Sequence, residues 1–176
     1  MAADIGKVFE KELKKVFDIL KDTRHVGYHR LSDTGAAGSI VAEQPSDYLF
    51  ALPPGCVNLL DNQRLMLLEV KASEKHHTLG KAMMTASQRG AIARYRFMLN
   101  LPYLILFWDT QDGVIQLWDG HSILGDKNIS KLEMLAQWPD CGVISKLRHK
   151  VVAQHLIDYF KIPAGADTLS AAQRRT

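Results

Sequence analysis

The chain has 176 residues, of which 47% are hydrophobic and 23% charged, a length and balance that suit one domain around a single core. Its 22 Lys and Arg against 19 Asp and Glu leave a net charge of +3 and a pI near 8.8, which permits a polyanionic partner without requiring one. No apolar stretch approaches the roughly 20 residues of a membrane span, Met1-Ala2-Ala3-Asp4 lacks the parts of an export signal, and Cys56 and Cys141 show no metal-ligand spacing; the chain reads as soluble and cytoplasmic (host-cell cytoplasm if viral), with reduced thiols.

The first element is the clearest. Ile5, Val8, Phe9, Leu13, Val16, Phe17 and Leu20 recur at three and four, the period of an amphipathic helix. His25 to Leu31 and Ser39 to Leu52 hold alternating or β-branched patches around the turn-rich Ser32-Asp33-Thr34-Gly35, which predicts short strands joined by loops. Pro53-Pro54-Gly55 turns the chain, and Asp61-Asn62 suits a tight turn before a strand over Arg64 to Ala72. A second helix is predicted over Leu79 to Leu99, ended by Pro102. Tyr103 to Trp108 is a continuous apolar run fit for a central strand, and Gln111-Asp112-Gly113 leads into a hairpin partner over Val114 to Trp118. The order is helix, three strands, helix, two strands. Beyond Gly120 the expectation is a helical extension, with helices near Ile129 to Trp138 and Ser145 to Phe160, inside a single domain of residues 1–162 whose core spans about 5–120. Residues 163–176 read as a flexible tail. Trp108, Trp118 and Trp138 read as packing residues.

Chemistry concentrates where the apolar run Leu65-Met66-Leu67-Leu68 ends in Glu69-Val70-Lys71. Side chains alternate along a strand, so Glu69 and Lys71 share one face and Leu68 and Val70 the other. A hard divalent cation such as Mg²⁺ needs several oxygen ligands, more than one Glu supplies. The nearest upstream carboxylate in a strand-like setting is Asp47, in Pro45-Ser46-Asp47-Tyr48-Leu49-Phe50. A hairpin between those strands would let the two carboxylates converge, with Lys71 beside them to orient or deprotonate a water or to offset charge on a phosphorus centre.

Pro45-Ser46-Asp47 followed by Glu69-Val70-Lys71 resembles the signature of the PD-(D/E)xK nucleases. Gly6-Lys7-Val8-Phe9-Glu10-Lys11-Glu12-Leu13 looks like the first helix of the Holliday-junction resolvases of that superfamily, with a glutamate four residues after a glycine. His29-Arg30-Leu31-Ser32 is similar to the strand and serine-containing turn that follow. The resemblance spans Gly6 to Trp118. It implies an α/β, restriction-endonuclease-like core, a mixed central β-sheet flanked by α-helices, and a Mg²⁺-dependent (Mn²⁺ is the other candidate) endodeoxyribonuclease. The activity implied is in-line cleavage of four-way DNA junctions by a homodimer, leaving 5′-phosphates. Other nucleases of this fold act on ends, nicks or foreign DNA, and a silent DNA-binding subunit could keep the fold; these are the alternatives.

Carried over by position, the resemblance makes Asp47 and Glu69 metal ligands, the Val70 carbonyl a further ligand, Lys71 the catalytic lysine and Glu10 the acid borne on the helix. Glu12 competes for that last role: on a helical wheel it lies inside the apolar arc, while Glu10 sits at its edge beside Phe17. The glycine-plus-four spacing favours Glu10. Gln88, in Ser87-Gln88-Arg89, stands where such nucleases carry a polar residue facing the site. Arg89, Arg94 and Arg96, with Lys75, His76, His77 and Lys81 ahead of them, form the densest basic stretch, and Lys11, Arg30 and Ser32 join them as candidate DNA contacts. Such contacts position a duplex without reading its sequence. The paired histidines read as solvated or phosphate-facing. The stretch from Pro53 to Gln63 is longer than a minimal hairpin needs, and the residues assign it no purpose.

Overall fold

The computed structural model describes residues 4–31, 45–124, 133–144 and 146–164, with the side chains of 96, 97, 123 and 124 left aside. Helix α1 spans Ile5–Arg24. Asp4 caps it, its Oδ1 accepting from the amides of Gly6 and Lys7, and His25 ends it in the left-handed region at φ 56°. Its apolar stripe, Phe9, Leu13, Val16, Phe17 and Leu20, is fully buried against one face of a sheet.

That sheet has six strands in sequence order: β1 Gly27–Arg30, β2 Tyr48–Ala51, β3 Leu65–Ser73, β4 Tyr103–Asp109, β5 Val114–Asp119 and β6 Glu133–Trp138. Neighbours are antiparallel except β3 and β4, which run parallel and are joined across the sheet by helix α2, Ala86–Leu99. β4 is buried at every position, as expected of a central strand covered on both faces. One face, with Leu68, Val70, Leu104, Leu106 and Trp108, packs on α1 and on α3, His149–Phe160. The other, with Leu67, Tyr103, Ile105, Phe107 and Trp118, packs on Met84 and on Ile92 of α2. The mixed central sheet flanked by helices is thus present, with the helix and strand order expected through β5. Trp108, Trp118 and Trp138 are all buried.

The helix expected over Ile129 to Trp138 is not found: residues 133–138 form β6, and 129–132 lie outside the described residues. The open edge of β5 captures this segment, with a bulge between Leu117 and Trp118, and Trp138 turns in to stack on His155 of α3 at 5.8 Å between ring centroids. Tertiary pairing overrides a local pattern that does not alternate cleanly. α2 also starts later than expected. Residues 81–83 form one 3-10 turn, and the helix begins after Thr85, whose Oγ1 accepts from the Gln88 amide at 3.1 Å while Gln88 Oε1 accepts from the Thr85 amide at 2.9 Å. This is a reciprocal capping box. The helix stops before Asn100, at φ 48°, two residues ahead of Pro102. The long β2–β3 connection does have a role: the Val57 amide and the Asn58 side chain donate to the carbonyls of Phe160 and Tyr159 at 2.8 and 2.6 Å, satisfying the end of α3. The expected strand residues 39–44, and the tail from 165 onward, lie outside the described residues.

Candidate active site

The β2–β3 register pairs Tyr48 with Leu68, so Asp47 stands opposite Glu69, one step beyond the last paired residues. Asp47 Oδ2 accepts a hydrogen bond from the Val70 amide at 2.7 Å. Its carboxyl is pushed up to about 7, first by burial and next by the charge of Glu69, with Glu10 adding to the rise and the Val70 amide and Lys71 opposing it. Glu69 is itself buried, 3% exposed, and ringed by donors. Lys71 Nζ lies 2.8 Å from its Oε1, the Gln88 amide nitrogen donates to the same oxygen, and the Tyr103 hydroxyl donates to Oε2 at 3.1 Å.

Each contact traces to local structure. Glu69 and Lys71 meet because strand periodicity puts them on one face. Gln88 reaches Glu69 from α2 while its carbonyl oxygen caps that helix, so one side chain fixes both the helix start and the carboxylate. Tyr103 opens β4 and pairs with Leu67, which places its ring beside Glu69 on the same sheet face. Burial and the Glu69 charge raise its hydroxyl further above the usual range, so it remains a donor. Its ring and backbone also press on Gly120: a Cβ there would meet Tyr103 Cδ1 at 2.7 Å and its carbonyl oxygen at 2.8 Å.

Sequence reading missed Tyr103. The available signal was a hydroxyl at the head of an otherwise apolar run, since a buried tyrosine needs a partner for its O–H.

The two helix acids part company. Glu10 Oε2 meets Arg30 at 2.5 Å, its carbonyl accepts from the Tyr48 hydroxyl at 3.1 Å, and its charge bears on Asp47. Glu12 turns to α3 and to its own helix, with His149 at 2.5 Å and Lys15 at 2.7 Å. Burial opposes ionisation of Glu12, but those hydrogen bonds outweigh it and lower its pKa.

The expected basic residues divide between the two sheet faces. Lys11 and Arg30 line a groove of about 330 Å³ with Lys7, Lys14, Glu10 and Tyr48. Lys7 and Lys14 escaped the sequence reading, although spacings of four and three place them with Lys11 on one helix face. Arg89 and Arg94 are exposed on α2, across the sheet from α1, and Arg89 donates to the Met84 carbonyl at 2.5 Å. Lys75 is exposed on the loop after β3, and Lys81 is half-buried in the 3-10 turn. Ser32 lies outside the described residues.

Asp47 and Glu69 form an all-oxygen donor set in which burial and mutual repulsion keep Asp47 from ionising readily. A hard divalent cation fits that chemistry, because it supplies positive charge beyond what Lys71 alone gives the pair.

Fold and site together define an α/β domain, a six-stranded mixed sheet flanked by helices, with a carboxylate pair and a lysine at the β2–β3 junction. Among solved structures, the chain is similar to Hjc of Archaeoglobus fulgidus, a Holliday junction resolvase from an archaeal hyperthermophile. Identity is 10% over 82% of this chain and 98% of that one, with a TM-score of 0.43. No family model matches the chain, and no curated protein matches it.

Proposed function

We propose that the chain is a divalent-metal-dependent DNA endonuclease, selective for four-way junctions and working as a homodimer. The observation that carries the enzyme reading is the convergence of Asp47 with Glu69, with Lys71 at 2.8 Å from Glu69 and Gln88 held beside it. The choice of junctions rests on the resolvase-like motifs around Gly6, Glu10 and Arg30.

In this reading Asp47, Glu69 and the Val70 carbonyl hold Mg²⁺ or Mn²⁺, with Glu10 close by. The ion, when bound, supplies Lewis acidity and lowers the pKa of water. Lys71, which pairs with Glu69 at 2.8 Å, would face the scissile phosphate of a bound substrate. There it offsets the charge that develops on the phosphoryl oxygens. Gln88 and Tyr103 keep the Glu69 carboxylate from rotating. Lys11 and Arg30 with Lys7 and Lys14 on one side, and Lys75, Lys81, Arg89 and Arg94 on the other, grip phosphates flanking the cut. Water attacks the phosphorus in line, the 3′-oxygen leaves and takes up a proton, and the product carries a 5′-phosphate. A junction has two symmetric scissile phosphates, which a two-fold dimer matches.

The test is incubation of labelled four-way junctions and linear duplex in Mg²⁺ with wild type, Asp47→Ala and Lys71→Ala. Junction cleavage by wild type alone is expected. Cutting of neither DNA overturns the enzyme reading, and equal cutting of linear duplex overturns junction selectivity in favour of a nuclease for ends, nicks or foreign DNA.

A further inference from the structure

Away from the carboxylate pair, the far end of the β3–β4 seam holds a second group of metal-ligating side chains. The Asp109 side chain is 3% exposed at the end of β4. Its Oδ1 accepts from the amides of Gln111 and Asp112 at 3.0 and 3.2 Å, which shapes the β4–β5 turn and leaves Oδ2 to meet the loop after β3. His77 Nδ1 lies 2.8 Å from that Oδ2 and 3.0 Å from Oδ2 of Asp112. One imidazole nitrogen and two carboxylate oxygens fall within 4.8 Å of one another.

The loop that delivers His77 is anchored from beneath. Ser73 Oγ accepts from the amides of Lys75 and His76 at 3.0 and 2.9 Å, and the Ser73 carbonyl receives the amide and hydroxyl of Thr110. The buried Gln116 side chain donates to the His77 carbonyl at 2.8 Å. Adjacent histidines rarely converge on one ion, and this pair does not: His77 meets two aspartates from another loop, without His76. Among the described residues, neither aspartate has a lysine or arginine ion-pair partner, so the nearly fully buried Asp109 carboxylate is met by two backbone amides and one exposed imidazole.

We propose that His77, Asp109 and Asp112 form a second divalent-cation site, which pins the loop after β3 to the β4–β5 turn. The mixed donor set selects borderline ions such as Zn²⁺, Co²⁺ or Mn²⁺ over Mg²⁺, which prefers oxygen alone. Three protein ligands on two loops leave the remaining positions to water. The site is separate from the carboxylate pair: Ser73, which pairs with Asp109, lies four residues beyond Glu69 on β3, about 13 Å at strand rise. It does not depend on the chain being a nuclease.

The experiment uses the full chain freed of metal by a chelator, with Glu69→Gln to disable the carboxylate pair and, beside it, Glu69→Gln/His77→Ala and Glu69→Gln/Asp112→Asn. Co²⁺ absorption and Zn²⁺ calorimetry report binding, and melting curves with and without Zn²⁺ report stability. Glu69→Gln is expected to bind one equivalent of Co²⁺ or Zn²⁺ and to melt higher with Zn²⁺. Each double variant should lose at least roughly tenfold in affinity, and with it the melting shift. Both added substitutions are at exposed side chains, and metal-free melting curves verify that the variants fold. No binding by Glu69→Gln up to about 1 mM overturns the site. So does binding that is indifferent to His77→Ala, or a His77→Ala effect confined to metal-free stability, which would make the trio a simple histidine–carboxylate latch.

Discussion

Asp47 is the residue on which charge balance at the carboxylate pair turns. Burial and Glu69 raise its folded pKa to about 7, well above the roughly 3.9 of an unfolded aspartate. Between those values the folded state binds more protons than the unfolded one, so metal-free stability falls as pH rises from about 4 through about 7. Asp47→Asn removes that slope. The variant is expected to be on the order of 2 kcal/mol more stable than wild type at pH 8 in chelator, about 4–8 °C in melting temperature, while losing cleavage. Urea unfolding at pH 5 and pH 8 checks it; an unchanged pH slope in the variant contradicts the assignment. Glu10 and Glu12 make a second contrast. Glu10→Gln should cut activity with little change in melting temperature, whereas Glu12→Gln should lower stability by about 1–3 kcal/mol by removing the His149 pairing and leave cleavage intact; paired activity and melting measurements separate the two. Here the sequence was legible only in part. Strand alternation foretold the Glu69–Lys71 contact, but a wheel drawn on one helix could not register that α3 folds back to claim Glu12.

At the level of elements, patterns that carry their own chemistry were readable and those that borrow it from neighbours were not. α1 and β4 announce themselves, one by an apolar stripe and the other by an unbroken apolar run. The start of α2 was also written in the chain, as Thr85-Ala86-Ser87-Gln88, but the apolar residues before it drew the boundary forward. β6 had no such marker, because what makes Glu133–Trp138 a strand is the edge of β5. The Pro53 to Gln63 loop was opaque for the same reason: it serves the end of a helix about a hundred residues further on. The capping box at α2 has an outcome beyond the helix. Thr85→Ala should cost about 1 kcal/mol of stability and also loosen Gln88, so cleavage should fall more than the stability loss explains. Kinetics well below the melting temperature test this, and full activity there would uncouple the cap from Glu69.

For the molecule as a whole, the basic side chains singled out above among the described residues are dispersed over both sheet faces, in keeping with a net charge of only +3. Neutralising any one of the side chains proposed to grip phosphates should therefore reduce the salt dependence of DNA binding by about one unit of log–log slope. Lys7→Ala with Lys11→Ala on the α1 groove should lower the slope by about two and weaken all DNA alike, which binding titrations across salt concentrations would reveal. An unchanged slope would place the duplex elsewhere.

The parallel pairing of β3 with β4 is also expected to order assembly in time. β1–β2–β3 and β4–β5–β6 are each antiparallel runs of sequence neighbours, and only the β3–β4 seam must wait for α2 to cross the sheet. Asp47 and Gln88 lie outside that seam, whereas Glu69, Lys71 and Tyr103 stand in it, opposite Ile105, Phe107 and Leu67. Closure of the seam is therefore what brings the Tyr103 hydroxyl onto Glu69, beside a carboxylate pair that β2 and β3 alone already set opposite each other.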